Sequence, residues 1–92
     1  MQITVVFTGA VQQQTNRNQH IIDLPDDASF KVLQAEIGRQ FGHLLSERIW
    51  DKQKAVFKKG ISVLGKDRLL VEDSTLLFNG ETVTIVQSVA GG

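Results

Sequence analysis

The chain has 92 residues, of which 41% are hydrophobic and 22% are charged, a composition typical of one soluble globular domain. Ten Lys and Arg residues balance ten Asp and Glu residues, which gives no overall attraction to nucleic acid or to an anionic membrane. Cysteine is absent, which excludes disulfides, a cysteine nucleophile and thiolate metal ligands within the sequence and suits a reducing, cytoplasmic compartment.

The first part of the sequence predicts two strands joined by a loop. Apolar residues alternate over residues 2–8, and a second strand-like run covers 20–24 before Pro25 ends it. The polar stretch 11–18 between them predicts a hairpin loop.

Two helices are expected in the middle of the chain. Ser29 is a suitable N-cap, apolar residues then recur at spacings of three and four over 30–44, and Gly42 is a suitable C-terminal stop. Residues 46–59 predict a second helix with an apolar stripe. The stripe consists of Ile49, Trp50, Val56 and Phe57. We expect Trp50 and Phe57 in the core.

Short strands follow Gly60. Residues 61–64, 68–71 and 82–87 are strand-like, and Asn79-Gly80 predicts the turn before the last of them. This order favours an α+β roll, in which a mixed sheet of about five strands packs on one main helix and a second helix. We expect a domain over residues 1–87 and a flexible tail over 88–92.

The tail ends in Gly91-Gly92, where glycine adds no packing and is costly to order. A functional interpretation is that the carboxylate of Gly92 is itself the reactive group. A narrow segment of residues 88–92 can reach at most about 17 Å into a partner when extended. A frayed terminus or a cloning remnant is the alternative interpretation.

The residues around this tail resemble a known family. Asn79-Gly80-Glu81 forms a Gly-containing acidic turn before the last strand, and the sequence closes with Val89-Ala90-Gly91-Gly92. Residues 24–29, Leu-Pro-Asp-Asp-Ala-Ser, precede the main helix. In these features the chain resembles the molybdopterin synthase small subunit and its sulfur-carrier relatives, which have the ubiquitin-like β-grasp fold.

The resemblance implies a carrier and not an enzyme. An E1-like adenylyltransferase would use ATP to adenylate Gly92, and a sulfur donor would then displace AMP and leave a C-terminal thiocarboxylate. The acceptor would be a molybdopterin synthase large subunit or another sulfur-accepting enzyme. Val89, Ala90 and Gly91 would occupy the partner's channel. Catalytic residues would belong to the partners, and the chain itself would bind no cofactor or metal.

Three alternatives stay open. The same carrier chemistry can serve another pathway, such as thiamine or cysteine synthesis. A ubiquitin-like modifier would instead join Gly92 to a lysine of another protein. A non-covalent β-grasp interaction domain would make no use of its tail, so deleting Gly91 and Gly92 would leave its function intact.

Other candidate sites are weaker. His20 and His43 have no neighbouring cysteine or carboxylate cluster in the sequence, so a surface or capping role is favoured over a metal site. The lysines of residues 52–59 alternate with carboxylates, which favours a solvated face over a nucleic-acid site. No segment has the roughly 20 apolar residues that a membrane span requires. Exposed apolar side chains on an open sheet face would be the docking patch for an activating enzyme, although the pattern does not identify them.

Overall fold

The computed structural model describes residues 1–87. Residues 88–92, which include the predicted site residues Val89, Ala90, Gly91 and Gly92, lie outside the described residues, and the division at residue 87 stays a prediction. The elements in chain order are β1 (Gln2–Phe7), α1 (Gly9–Thr15), β2 (Gln19–Asp23), α2 (Phe30–Phe41), β3 (Trp50–Asp51), β4 (Val56–Phe57), β5 (Ile61–Gly65), β6 (Arg68–Leu70) and β7 (Thr82–Gln87).

Five strands form one mixed sheet in the order β2-β1-β7-β5-β6. The last strand, β7, lies in the centre, parallel to β1 and antiparallel to β5. Strands were predicted at 2–8, 20–24, 61–64, 68–71 and 82–87, and all five are confirmed with boundaries shifted by no more than one residue.

The hydrophobic core lies between this sheet and α2. Alternate residues of the central strands point toward the helix, so Val5 and Val83, which are paired across β1 and β7, are both fully buried. Leu33 and Ile37 of α2 are also fully buried and meet them from the other side. Each such side chain contributes roughly 1.5–3 kcal/mol of burial free energy. One face of the sheet is therefore covered, and the residues from 1 to 87 leave the other open.

The prediction of a hairpin loop over residues 11–18 is wrong for the first part of that stretch, because residues 9–15 form helix α1. Val11 and Thr15, four residues apart, are the buried positions of this helix, and the Thr15 hydroxyl donates to the Val11 carbonyl at 2.8 Å. Asn16 follows in a left-handed conformation (φ 57°), which ends the helix.

The helix predicted over residues 46–59 is also wrong. Strands β3 and β4 form a short antiparallel hairpin there, with Trp50 opposite Phe57 and their ring centroids 4.8 Å apart. The Asp51 carboxylate accepts the backbone N–H groups of Gln53 and Lys54, each at 3.0 Å, which stabilises the turn. Trp50 is 2% exposed, so its predicted place in the core is confirmed, whereas Phe57 is only partly buried and packs against the core.

The hairpin packs against α2 through two contacts. The Phe57 backbone N–H donates to the Oε1 atom of the buried Gln34 at 3.3 Å. The Trp50 indole lies over Gly38 and Gly42, because a Cβ atom added at Gly38 would come within 2.5 Å of the ring. None of the helices within residues 1–87 is long and apolar enough to cross a membrane.

Candidate functional site

The open sheet face, on the side opposite α2, is uncharged across its central strands. We define it by the outward residues of β1, β5, β6 and β7. These residues are Gln2, Thr4, Val6, Ser62, Leu64, Leu69, Thr82, Thr84 and Val86. A row of cross-strand neighbours runs over this face from β1 to β6. Val6 pairs with Thr84, Thr84 with Leu64, and Leu64 with Leu69.

Two leucines at one side of the open sheet face are strongly exposed. The relative solvent exposure is 41% for Leu64 and 55% for Leu69. Their strand neighbours Val63 and Leu70 are buried against the core, so the period of two directs Leu64 and Leu69 outward. Adjacent exposed leucines on an uncharged part of a sheet face are typical of a protein docking surface, since a partner gains roughly 25 cal/mol for each Å² of apolar surface removed from water.

The structure therefore identifies the exposed apolar side chains of the open sheet face, and their docking role stays a prediction. The sequence analysis named none of these side chains, although the alternation around Val63-Leu64 and Leu69-Leu70 carried the signal.

The end of β7 is held from both sides. Gln87 is paired with Ile61 of β5, and the Thr8 hydroxyl donates to the carbonyl of Ile85 at 2.7 Å. Val86, which precedes Gln87, belongs to the open sheet face. The structure thus fixes the place where the described chain ends, five residues before Gly92 in the sequence.

A turn sets the opposite end of β7 beside β1. Gly80 has φ +81°, a conformation that favours glycine, and its N–H donates to the Gln2 carbonyl at 2.8 Å. The Gln2 N–H donates in return to the Asn79 side-chain oxygen at 3.1 Å. The predicted Asn79-Gly80 turn is confirmed, and it fixes the position where the last strand begins.

Glu81, the next residue, is buried and ion-paired. Its side chain is fully buried, and it accepts hydrogen bonds from the backbone N–H groups of Lys66 at 2.9 Å and Phe78 at 3.0 Å as well as from Arg68. Burial raises the pKa of this carboxyl, but the hydrogen bonds from Arg68, Phe78 and Lys66 outweigh it and leave the pKa lowered. Such a carboxylate has no free lone pair aimed at solvent and a low basicity, so its role is structural.

Arg68 completes this cluster. Its guanidinium lies 4.2 Å from the ring centroid of Phe78, and its Nη2 donates to the Leu76 carbonyl at 2.8 Å. The pair Arg68–Glu81 therefore ties the β5–β6 turn to the segment that leads into β7.

The two histidines are not part of a metal site within the described residues. His20 lies 2.9 Å from the Gln40 side-chain oxygen and edge-on to Phe41, and His43 is exposed. Residues 1–87 hold no group of three or more metal-ligating side chains. Gln40 also donates to Glu36, whose pKa is lowered to about 2, mainly by the hydrogen bond from Arg39.

Solved structures of similar shape exist despite low sequence identity. SAMP1 from Haloferax volcanii superposes with a TM-score of 0.81 at 13% identity, over 100% of both chains. A candidate molybdopterin converting factor, subunit 1, from Pyrococcus furiosus gives 0.72 at 18% identity, over 96% of this chain and 98% of its own. Urm1 from Trypanosoma brucei gives 0.68 at 19% identity, over 99% of this chain and 95% of its own.

No protein-family model matches the sequence, and a search of curated proteins finds no significant match. At these identities, the structural likeness establishes the fold. The chain has the predicted α+β β-grasp fold, with two helices and a five-stranded mixed sheet, although the second helix is α1 and not the one predicted over residues 46–59.

Proposed function

We propose that this chain is a ubiquitin-like sulfur carrier, in which the carboxylate of Gly92 is adenylated and then converted to a thiocarboxylate. The observation that carries the proposal is the open sheet face, which is uncharged, has exposed Leu64 and Leu69, and includes the end of β7. A partner docked on that face lies next to the strand from which residues 88–92 continue.

The chemistry belongs to the terminus. A carboxylate resists nucleophilic attack, whereas an acyl adenylate has AMP as a good leaving group. The terminal sulfur of a protein persulfide displaces AMP to give an acyl disulfide. A thiol of the donor protein then attacks the donor's sulfur in that S–S bond, which forms a disulfide in the donor and releases the thiocarboxylate, a soft nucleophile that can pass its sulfur on. Gly91 and Gly92 carry no Cβ, so they suit a narrow channel, with Val89 and Ala90 at its mouth.

The partners follow from this chemistry. An E1-like adenylyltransferase supplies the ATP-dependent activation, and a second enzyme accepts the sulfur in the cytoplasm. The similar fold of the Pyrococcus furiosus protein named molybdopterin converting factor, subunit 1, supports a molybdopterin synthase large subunit as that acceptor. The catalytic groups then belong to these partners, and this chain supplies the docking face and the terminus.

A second candidate function is protein modification. Another similar structure, from Haloferax volcanii, is named small archaeal modifier protein 1, with a TM-score of 0.79 at 11% identity. The same adenylated Gly92 would then form an isopeptide bond with a lysine of a target protein.

Intact-mass spectrometry of the chain from its own host tests these proposals. The expected result is a mass increase that corresponds to one oxygen replaced by sulfur, located at Gly92 and absent when Gly92 is deleted. Gly92 found in isopeptide linkage to lysine, with no thiocarboxylate, would favour the modifier. A terminus that stays unmodified after incubation with the activating enzyme, ATP and a sulfur donor would contradict both.

A further inference from the structure

The β3–β4 hairpin concentrates positive charge in a protein of zero net charge. Residues 46–60 contain five basic and two acidic side chains. The ion pairs within residues 1–87 are Met1–Asp26, Arg39–Glu36 and Arg68–Glu81, so none of the five basic side chains is neutralised by a salt bridge there. The hairpin therefore presents unpaired cations to solvent.

A cleft of about 370 Å³ lies between this hairpin and α2. Its floor is apolar and is formed by Ala35, Gly38, Gly42, Trp50 and Ala55. Its rim carries Lys52, His43 and Arg39, of which Arg39 is already paired with Glu36. The cleft is thus large enough for an apolar side chain, and the unpaired Lys52 at its rim continues into the basic hairpin, which attracts carboxylates.

The indole Nε1 of Trp50 faces Gly42, a residue of the cleft floor. The Nε1–H donates to no acceptor within residues 1–87. Every fully buried side-chain nitrogen or oxygen in that part of the chain has a partner, so Nε1 is not fully buried, although Trp50 as a whole is only 2% exposed. The indole N–H of Trp50 therefore reports on the environment of the cleft.

We propose that this cleft, together with the basic hairpin, binds an acidic peptide segment of a partner protein. An apolar side chain of that segment would lie on the accessible part of the cleft floor, against Ala35 and Ala55, and its carboxylates would meet Lys52 and the neighbouring basic side chains. The cleft lies on the helix side of the sheet, opposite Leu64 and Leu69, so both surfaces can be occupied at once. The proposal does not depend on the chemistry of Gly92.

An acidic peptide fits this surface better than a nucleic acid does. Binding of single-stranded nucleic acid uses exposed aromatic faces on which bases stack. Trp50 is 2% exposed, and its ring is covered by α2 and Phe57, so its face is not available for stacking. Glu47 and Asp51 also interrupt the basic residues, which weakens attraction to a continuous phosphate backbone.

The sequence contains a single tryptophan, so the indole N–H of Trp50 gives one isolated signal in a proton–nitrogen NMR spectrum. A phage-displayed library of random peptides is selected on the full-length chain, and an enriched peptide is then titrated. We expect enriched peptides that are acidic and contain an apolar residue. We expect them to shift the Trp50 indole signal and to leave the amides of Leu64 and Leu69 unchanged.

Charge reversal provides the matched comparison. Lys52→Glu combined with Lys54→Glu should weaken peptide affinity at least about tenfold, because two attractive charges become repulsive. Arg17→Glu combined with Lys31→Glu makes the same charge change at exposed positions outside the cleft and should alter affinity less than about twofold.

Several results would overturn the proposal. In the selection, these are the absence of any enriched peptide or the enrichment of neutral or basic peptides. In the NMR titration, they are signal changes confined to the open sheet face, or a single-stranded oligonucleotide that shifts the Trp50 signal more than the peptide does at equal concentration. In the affinity measurement, equal effects of the two double variants would also contradict the proposal.

Discussion

Glu81 accepts two hydrogen bonds from the guanidinium of Arg68, from Nη2 at 2.8 Å and from Nε at 3.1 Å, while its own side chain is fully buried. Removing one partner of a buried ion pair leaves the other charge uncompensated in a medium of low polarity. The pair therefore makes the junction between the β5–β6 turn and β7 sensitive to single substitutions.

Arg68→Met should lower the free energy of unfolding by on the order of 3 kcal/mol, because Glu81 would stay buried with only two backbone donors. Urea denaturation followed by circular dichroism measures the change. Arg17→Met removes an exposed guanidinium that forms no ion pair within residues 1–87 and should change stability by less than about 0.5 kcal/mol. Equal effects of the two substitutions would show that the buried pair does not stabilise the fold.

Stability should also depend on pH in the acidic range. The pKa of Glu81 in the folded state is below its ordinary value of 4.5, so the unfolded state binds a proton first as the pH falls. The stabilisation that ionised Glu81 contributes is present above pH 4.5 and is lost as the pH falls through the lowered pKa of this group. We expect the free energy of unfolding to decrease steadily as the pH falls below about 5.

Glu36 adds to the same slope, since its pKa is lowered to about 2. The stabilisation that ionised Glu36 contributes is lost as the pH falls from 4.5 to about 2. Glu36→Gln should remove this contribution and leave the contribution of Glu81 unchanged. A wild-type unfolding free energy that is independent of pH over this range would contradict both assignments.

Gly38→Ala should destabilise the protein even though alanine favours a helix. The gain in helix propensity is about 1 kcal/mol. The new Cβ would lie 2.5 Å from the Trp50 ring, so the indole and its hairpin must move, at a cost of about 1–3 kcal/mol. We expect a net loss, measured by urea denaturation followed by Trp50 fluorescence. Gly42→Ala places its Cβ at 3.1 Å from the indole nitrogen and should have a smaller effect. A more stable Gly38→Ala variant would mean that the hairpin is not held by this contact.

Leu69→Asp tests the open sheet face as the docking surface. It should raise the KM of the activating enzyme for this chain by about tenfold or more and leave kcat largely unchanged, because the substitution removes binding and not chemistry. Leu76 is 59% exposed, close to the 55% of Leu69, but lies outside the open sheet face. Leu76→Asp should alter KM less than about twofold. The same KM for both variants would place the docking surface elsewhere.

Trp50 and Phe57 explain why the sequence predicted a helix where a hairpin forms. They are seven residues apart, which puts them on one side of an α-helix after two turns, but also opposite each other across a short hairpin. What decides the outcome is the turn between them, where Asp51 accepts two backbone N–H groups and Ala55 adopts φ 55°. Periodicity alone does not contain that information.

Helix α1 was missed for a different reason. A helix of seven residues with two buried positions, Val11 and Thr15, is too short to show a period, and its glutamines suggested a loop. The five strands were predictable because each alternates or is apolar over several residues.

Only part of the candidate site could be predicted from the sequence. The terminal Gly91-Gly92 can be recognised in the sequence, whereas a docking face assembled from β1, β5, β6 and β7 requires the pairing of strands far apart in the chain. The burial of Glu81 was equally unpredictable, because it depends on Arg68 in another hairpin.

The parallel pairing of β1 with β7 also has a mechanical consequence. Tension applied between Gln2 and Gln87 acts along two neighbouring strands that run in the same direction, so it loads the hydrogen bonds between them in shear, and they must fail together instead of one after another. A pull on Gln87 against a restraint at Gln2 is therefore opposed by all the hydrogen bonds of this strand pair at once.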